Sequence, residues 1–279
     1  MTVKRLGRLG MGRLSQSRAS GRAVGGGGSI SPSSESYSAE ASAIFAAFTT
    51  PPTAARKAQI EACVSYLKNA GVWARLDVLY LLAAANSQAA RINWKTPGTF
   101  TLTEVNSPTF GVDQGYTGNG TDMQLDTGVN PSTLGGGLTQ NDACAFVWGT
   151  RVDVSGAPLG TNAGTGIYIY PRYTDGNYYH KLNTATDTTA ASSDGSGLVL
   201  SVRTASDAGR IDRNGAQLVT LATTSSALVN STIRLLKAGA DFYGGKIICA
   251  GVGMSLSAAQ SASLYQALVA YFNDVGTTL

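Results

Sequence analysis

IYIYPRYTDGNYYHKL, residues 167–182, is the stretch whose reading decides the fold. Tyr168 and Tyr170 sit two residues apart, the period of a β-strand, whose alternate side chains share one face. Asp175-Gly176 is a hairpin signal, because a type I′ turn needs positive φ at both central residues. YYHKL then reads as the returning strand.

The same period runs through the chain after Pro97. Phe100 and Leu102 alternate with Thr101 and Thr103, as do Cys144, Phe146 and Trp148, and further on Leu198, Leu200 and Val202. RIDR, QLVTL, IRLL and KIICAGV add short strands, with a second hairpin signal at Asn214-Gly215. Roughly ten to twelve short strands with no helices between them predict a mainly β protein, an antiparallel β-sandwich or jelly roll and not a parallel α/β sheet.

Helical spacing flanks this region. SAEASAIFAAF carries Ile44, Phe45 and Phe48 on one side, and Pro51-Pro52 then breaks the chain. Thr53 can cap RKAQIEACVSYLKN, whose Ile60, Cys63, Val64 and Leu67 fall on one buried face, with Gly71 as the stop. VWARLDVLYLLAAANSQAARINW, residues 72–94, repeats that spacing with Leu76, Leu79, Tyr80 and Ala83, and is read as the second helix of a hairpin. At the far end Ser257 and Gln260 form a capping box, Leu264, Leu268, Tyr271 and Val275 a stripe, and Gly276 a stop. The expected division is an arm at 1–36, a helical segment at 37–96, and a sandwich with its C-terminal helix at 97–279.

The arm holds the charge. Residues 1–34 contain six of the 21 basic residues and none of the 17 acids, leaving 15 basic against 17 acidic residues in the remainder. The net charge of +4 therefore belongs to the tail. Such a Gly- and Arg-rich segment cannot bury enough apolar surface to fold alone, so it is expected to need a partner. Lys4, Arg5, Arg8, Arg13, Arg18 and Arg22 would pair with an acidic groove while Leu6, Leu9 and Leu14 anchor the chain. Contact with DNA through phosphate neutralisation is a weaker reading, since no aromatic interleaves the arginines. No apolar run reaches the length of a membrane span, and the basic start lacks the apolar core of a signal peptide. The three cysteines, Cys63, Cys144 and Cys249, and the lone His180 exclude a zinc site, and free buried thiols are the preferred reading.

TFGVDQGYTGNGTDMQLDTG at 109–128 resembles the opening of concanavalin A-like sandwiches of the laminin-G/pentraxin type. RIDRNGAQLV resembles a hairpin of those domains, and FYGGKIICAGVGMSLSAAQSASLYQAL their closing strand and helical exit. ARLDVLYLLAAANSQAARINW ahead of such a sandwich resembles structural proteins of tailed phages. The resemblance spans residues 72–275 and implies a lectin-like sandwich within a virion.

Catalysis finds little support. Glycoside hydrolysis needs two placed carboxylates, yet the four glutamates are Glu35, Glu40, Glu61 and Glu104, three of them ahead of the sandwich. A nucleophilic triad would have to be built around His180, with no G-x-S-x-G present. No cofactor is expected; calcium is a weak candidate at Asp122, Asp126 and Asn130, or at Asp175, Asn177 and Asp194, where turn chemistry explains the same residues. Tyr168, Tyr170, Tyr173, Tyr178 and Tyr179, with Arg172 and Asp175, form a tyrosine-rich ribbon suited to glycan stacking or to protein contact, the latter preferred for a chain expected in an assembly.

The sequence thus points to a non-enzymatic, oligomeric component of a phage virion, in the tail, a fibre or a head decoration. It would be assembled in the host cytoplasm, docked through its arm on other virion proteins, without a membrane partner. A receptor-binding adhesin for host glycans is the alternative, and a carbohydrate-active enzyme is disfavoured.

Overall fold

All seven residues of the strand Ala143–Gly149 are buried, which places it in a middle layer with no solvent face. The computed structural model describes residues 36–150, 156–163 and 166–279, and Tyr37–Leu279 form one unit. The arm residues named above lie outside the described residues.

The strands, in chain order, are β1 (Leu76–Leu81), β2 (Thr103–Val105), β3 (Thr109–Gly111), β4 (Gly115–Thr117), β5 (Gln124–Asp126), β6 (Ala143–Gly149), β7 (Leu159–Thr161), β8 (Gly166–Tyr170) and β9 (Asn177–Thr184). They continue with β10 (Thr188–Ala191), β11 (Gly197–Arg203), β12 (Gly209–Arg213), β13 (Ala216–Leu221), β14 (Ile233–Leu235), β15 (Lys237–Ala238), β16 (Asp241–Phe242) and β17 (Lys246–Gly253). The helices are α1 (Ala39–Ala46), α2 (Ala54–Asn69), α3 (Ser87–Ala90) and α4 (Ala258–Val275).

The strands form two antiparallel sheets. The inner sheet runs β13-β12-β11-β6-β17-β4-β3, with β1 also paired to β17; the outer sheet runs β10-β9-β8-β7-β14-β5-β2. The small β15–β16 ribbon stands apart from both. Alternation on β6 sorts the two cores. Ala143, Ala145 and Val147 meet Ile167, Ile169 and Leu182 of the outer sheet. Cys144, Phe146 and Trp148 turn the other way, onto Val64 and Leu67 of α2 and Leu264, Leu268 and Phe272 of α4. Trp148 stacks on Tyr265 at 5.5 Å and meets Phe272 edge-on. The fold is therefore a mainly β sandwich with helices layered on one face.

The helix ends follow their sequence signals. Thr53 accepts the Arg56 N–H, Ser257 and Gln260 complete their reciprocal capping box, and Gly71 and Gly276 take positive φ of 68° and 80° after α2 and α4. The stripe Ile60, Cys63, Val64, Leu67 is buried, and all three cysteines are free and buried. Burial pushes the Cys63 thiol up to about 12.

Two expectations are corrected. Leu76–Leu81 is a strand and not a helix, so the N-terminal helical pair is α1 and α2, and the 37–96 segment lends β1 to the inner sheet. Val78 and Tyr80 face the outer sheet while Leu79 and Leu81 face the helices. From Val78 onward this middle-layer strand has no polar face, and its apolar run imitates helical spacing. The turn at Asp175-Gly176 is also not type I′. Gly176 alone has positive φ, at 80°. The Gly176 N–H donates to the Tyr173 carbonyl (2.9 Å) and the Tyr173 N–H to the Asn177 carbonyl (2.6 Å), giving a type I turn closed by a glycine bulge. Asn214-Gly215, with φ of 49° and 78° between β12 and β13, does have the type I′ signature.

Candidate functional site

The hairpin β8–β9 gives its two faces opposite jobs. Ile167, Ile169, Tyr178 and Leu182 point between the sheets, while Tyr168, Tyr170 and Tyr179 point away from them. Register seats Tyr170 beside Tyr179 and Tyr168 beside Lys181 across the ladder. With Tyr173 from the turn, the four rings line an open depression of about 350 Å³ whose remaining walls are Asp187 and Asp241. Tyr168 and Tyr170 are 8% and 9% exposed and form the floor; Tyr173, 40% exposed, stands at the rim.

Asp241 is delivered by the β15–β16 ribbon, which folds over β7. A Cβ on Gly160 would collide with Ala238 and crowd Tyr168, so only glycine lets the ribbon lie this close. Asp187 comes from the β9–β10 turn.

Each phenol of the inner group donates to a carboxylate: Tyr168 to Asp187, Tyr170 to Asp241 (2.7 Å) and Tyr179 to Asp175 (2.7 Å). Burial first, then the neighbouring carboxylates, pushes the Tyr168 and Tyr170 phenols far above their ordinary range, so both stay protonated. Burial raises Asp187, but the Tyr168 hydroxyl and the Lys181 ammonium (3.1 Å) outweigh it and hold the carboxyl below its usual value. The cleft thus offers fixed acceptors and aromatic faces, with the Tyr168 and Tyr170 phenols protonated and the Asp187 carboxyl ionised.

Of the ribbon residues proposed from sequence, Tyr168, Tyr170, Tyr173 and Tyr179 come together. Tyr178 does not: it lies in the core, and its hydroxyl is 3.2 Å from Ser201 Oγ. Arg172 is turned aside, donating from Nε to the Ser192 carbonyl (3.1 Å). Asp187 and Asp241 were missed. Each reads as a lone turn aspartate in sequence, and only tertiary folding sets it against a tyrosine. His180 packs behind the cleft, between the sheets, with Nδ1 3.0 Å from Ser201 Oγ. Burial, then the Arg203 charge, lowers it to about 3, so it is neutral.

The calcium candidates are spent elsewhere. Asp122 accepts from Asn119 (2.8 Å), Asp126 pairs with Arg234, Asn130 bonds Asn230 (2.7 Å), and Asp194 pairs with Arg213 (3.2 Å). Asp175 is held by Asn177 and Tyr179. Among the described residues no three His, Cys, Asp or Glu side chains group at metal-binding spacing, and no helix is long and apolar enough to cross a membrane.

No protein-family model matches the chain, and no curated protein matches it in sequence. Solved structures do. The receptor binding domain of a botulinum neurotoxin C/D mosaic serotype is similar at a TM-score of 0.51 and 9% identity, over 70% of this chain and 51% of that one. The binding domain of botulinum neurotoxin serotype D gives 0.50 and 8%, over 70% and 52%. Domain 4 of an extracellular arabinanase from Geobacillus stearothermophilus, solved with arabinotriose, gives 0.45 and 13%, over 69% of this chain and 98% of that domain. The chain spans about half the length of the two neurotoxin domains. At these identities the likeness is one of fold, the β-sandwich.

Proposed function

We propose that this protein is a carbohydrate-binding β-sandwich whose binding site is the tyrosine cleft on the outer sheet. The observation that carries the reading is the cleft itself: four converging rings edged by Asp187 and Asp241, in a concavity the size of a sugar site. Aromatic faces accept the C–H face of a sugar, and carboxylates held by phenols keep lone pairs for its hydroxyls. A fold shared with receptor binding domains supports it. Protein contact, the reading favoured from sequence, suits a flat apolar face. Here Tyr168 and Tyr170 are recessed, and among the described residues the other large exposed apolar side chains, Tyr66, Val112, Leu218 and Leu279, come from separate elements.

The activity proposed is binding without turnover. A tyrosine nucleophile would need a lowered pKa, and a general acid a raised one; Tyr168, Tyr170 and Asp187 are shifted the opposite way. The finer reading, display of this sandwich on a tailed-phage particle, rests on the charge segregation of residues 1–34 and on the resemblance at 72–275. A glycan array probed with the full chain tests the first reading. Binding that disappears in Tyr173→Ala and in Tyr170→Ala, with both variants melting cooperatively, supports it; binding indifferent to both overturns it. Deleting residues 1–30 tests the second: the sandwich should stay folded and fail to join particles, and normal incorporation would refute docking through the arm.

A further inference from the structure

We infer that the tyrosine cleft selects a glycan bearing a cationic nitrogen, an ammonium or trimethylammonium group seated among the rings. This rests on the carbohydrate-binding reading and names the group that the sugar must present.

Ring geometry is the first observation. Tyr168 and Tyr170 lie 5.2 Å apart at 83°, Tyr170 and Tyr173 5.7 Å apart at 89°, and Tyr173 and Tyr179 5.6 Å apart at 72°. A neutral pyranose stacks best on one open ring or on a coplanar pair. Consecutive edge-to-face rings instead offer no coplanar platform, and the faces they leave open suit a compact cation better than a flat sugar ring.

Charge is the second. The lining is four tyrosines and two aspartates, without a cationic residue among them. Three of the phenols donate to carboxylates, which draws positive charge toward each hydroxyl proton and leaves the ring richer in electrons. The edge of the cleft already holds a cation in this manner: Lys181 Nζ lies 5.4 Å from the centre of the Tyr168 ring while pairing with Asp187. Asp241, which accepts from Tyr170, lines the same depression, and no ion pair among the described residues includes it. An anionic sugar such as a sialic or uronic acid would meet Asp187 and Asp241 with like charge.

The test is calorimetric titration of the full-length protein with choline, glucosamine, N-acetylglucosamine, glucose and N-acetylneuraminic acid. Expected is saturable binding of choline or glucosamine about tenfold or more tighter than of glucose and N-acetylglucosamine. That preference should collapse in Asp241→Asn and in Tyr170→Leu. Choline above glucosamine assigns a trimethylammonium ligand, and the reverse order an amino sugar; either supports the inference. Equal affinities for glucosamine, N-acetylglucosamine and glucose, still dependent on the tyrosines, would overturn the cationic selection and leave the carbohydrate site standing. Preference for N-acetylneuraminic acid would overturn it as well. Absence of binding by every probe and on the array would remove both readings. Asp241→Asn conserves shape, and an unchanged melting temperature in that variant separates lost charge from lost fold.

Discussion

The two outward faces of the sandwich are built from the same alternating pattern and meet opposite fates. On the inner sheet, Phe146, Trp148, Leu198 and Leu200 are sealed beneath α2 and α4. On the outer sheet, Tyr168, Tyr170, Tyr173 and Tyr179 keep a cleft, partly roofed by the short β15–β16 ribbon. Side-chain chemistry accounts for the difference. Wholly apolar side chains gain only by leaving water, so their face is covered. Tyrosine joins a large apolar body to a polar tip and tolerates a half-wet surface, provided its hydroxyl is satisfied. Asp187, Asp241 and Asp175 satisfy three of them. One face is sealed and stabilises the fold; the other stays open and is the face proposed to bind.

That contrast can be broken by truncating each face in turn. Phe146→Ala empties a fully buried site in the sealed layer and should lower unfolding free energy by about 3–5 kcal/mol in urea titration. A loss below ~1 kcal/mol would mean the helices do not seal that face. Between the faces, His180 sharpens the boundary. Its folded pKa of about 3 lies below the ordinary value near 6.5, so the unfolded chain binds the extra proton between those values. Stability contributed by neutral His180 is full above pH 6.5 and should fall by up to ~1.4 kcal/mol per pH unit as pH drops toward 3. Replacing His180 by Gln should flatten that part of the pH profile; an unchanged slope would place the titration elsewhere. Ser257→Ala removes the cap that starts the sealing helix α4 and should destabilise by about 1 kcal/mol, with binding retained. Smallest in stability is Tyr173→Ala at the rim, within ~0.5 kcal/mol of the parent, while its effect on ligand binding should be the largest of the four.

How much of this was legible in the sequence depended on how many faces each strand buries. β8 and β9, with one face inward and one outward, show a two-residue period, and the hairpin between them was readable. The same alternation held the information that Tyr178 and Tyr179 must point to opposite faces, although adjacent tyrosines invite grouping. β1 was misread because both its faces are buried, Val78 toward one core and Leu79 toward the other. The capping residues Thr53, Ser257 and Gly276 were readable because a cap is a local hydrogen-bond requirement. The carboxylates of the cleft were not. Asp241 reaches Tyr170 from 71 residues away, and nothing local to ADFYGG distinguishes it from any turn aspartate.

The measurement that bears most directly on the cleft is an NMR titration of tyrosine-labelled full-length protein with the glycans that score on the array. Expected is saturable perturbation of Tyr168, Tyr170, Tyr173 and Tyr179, with Tyr66, on α2, and Tyr271, buried on α4, unmoved. Binding that shifts Tyr66 or Tyr271 and leaves those four rings unchanged would contradict the assignment of the outer face as the binding face.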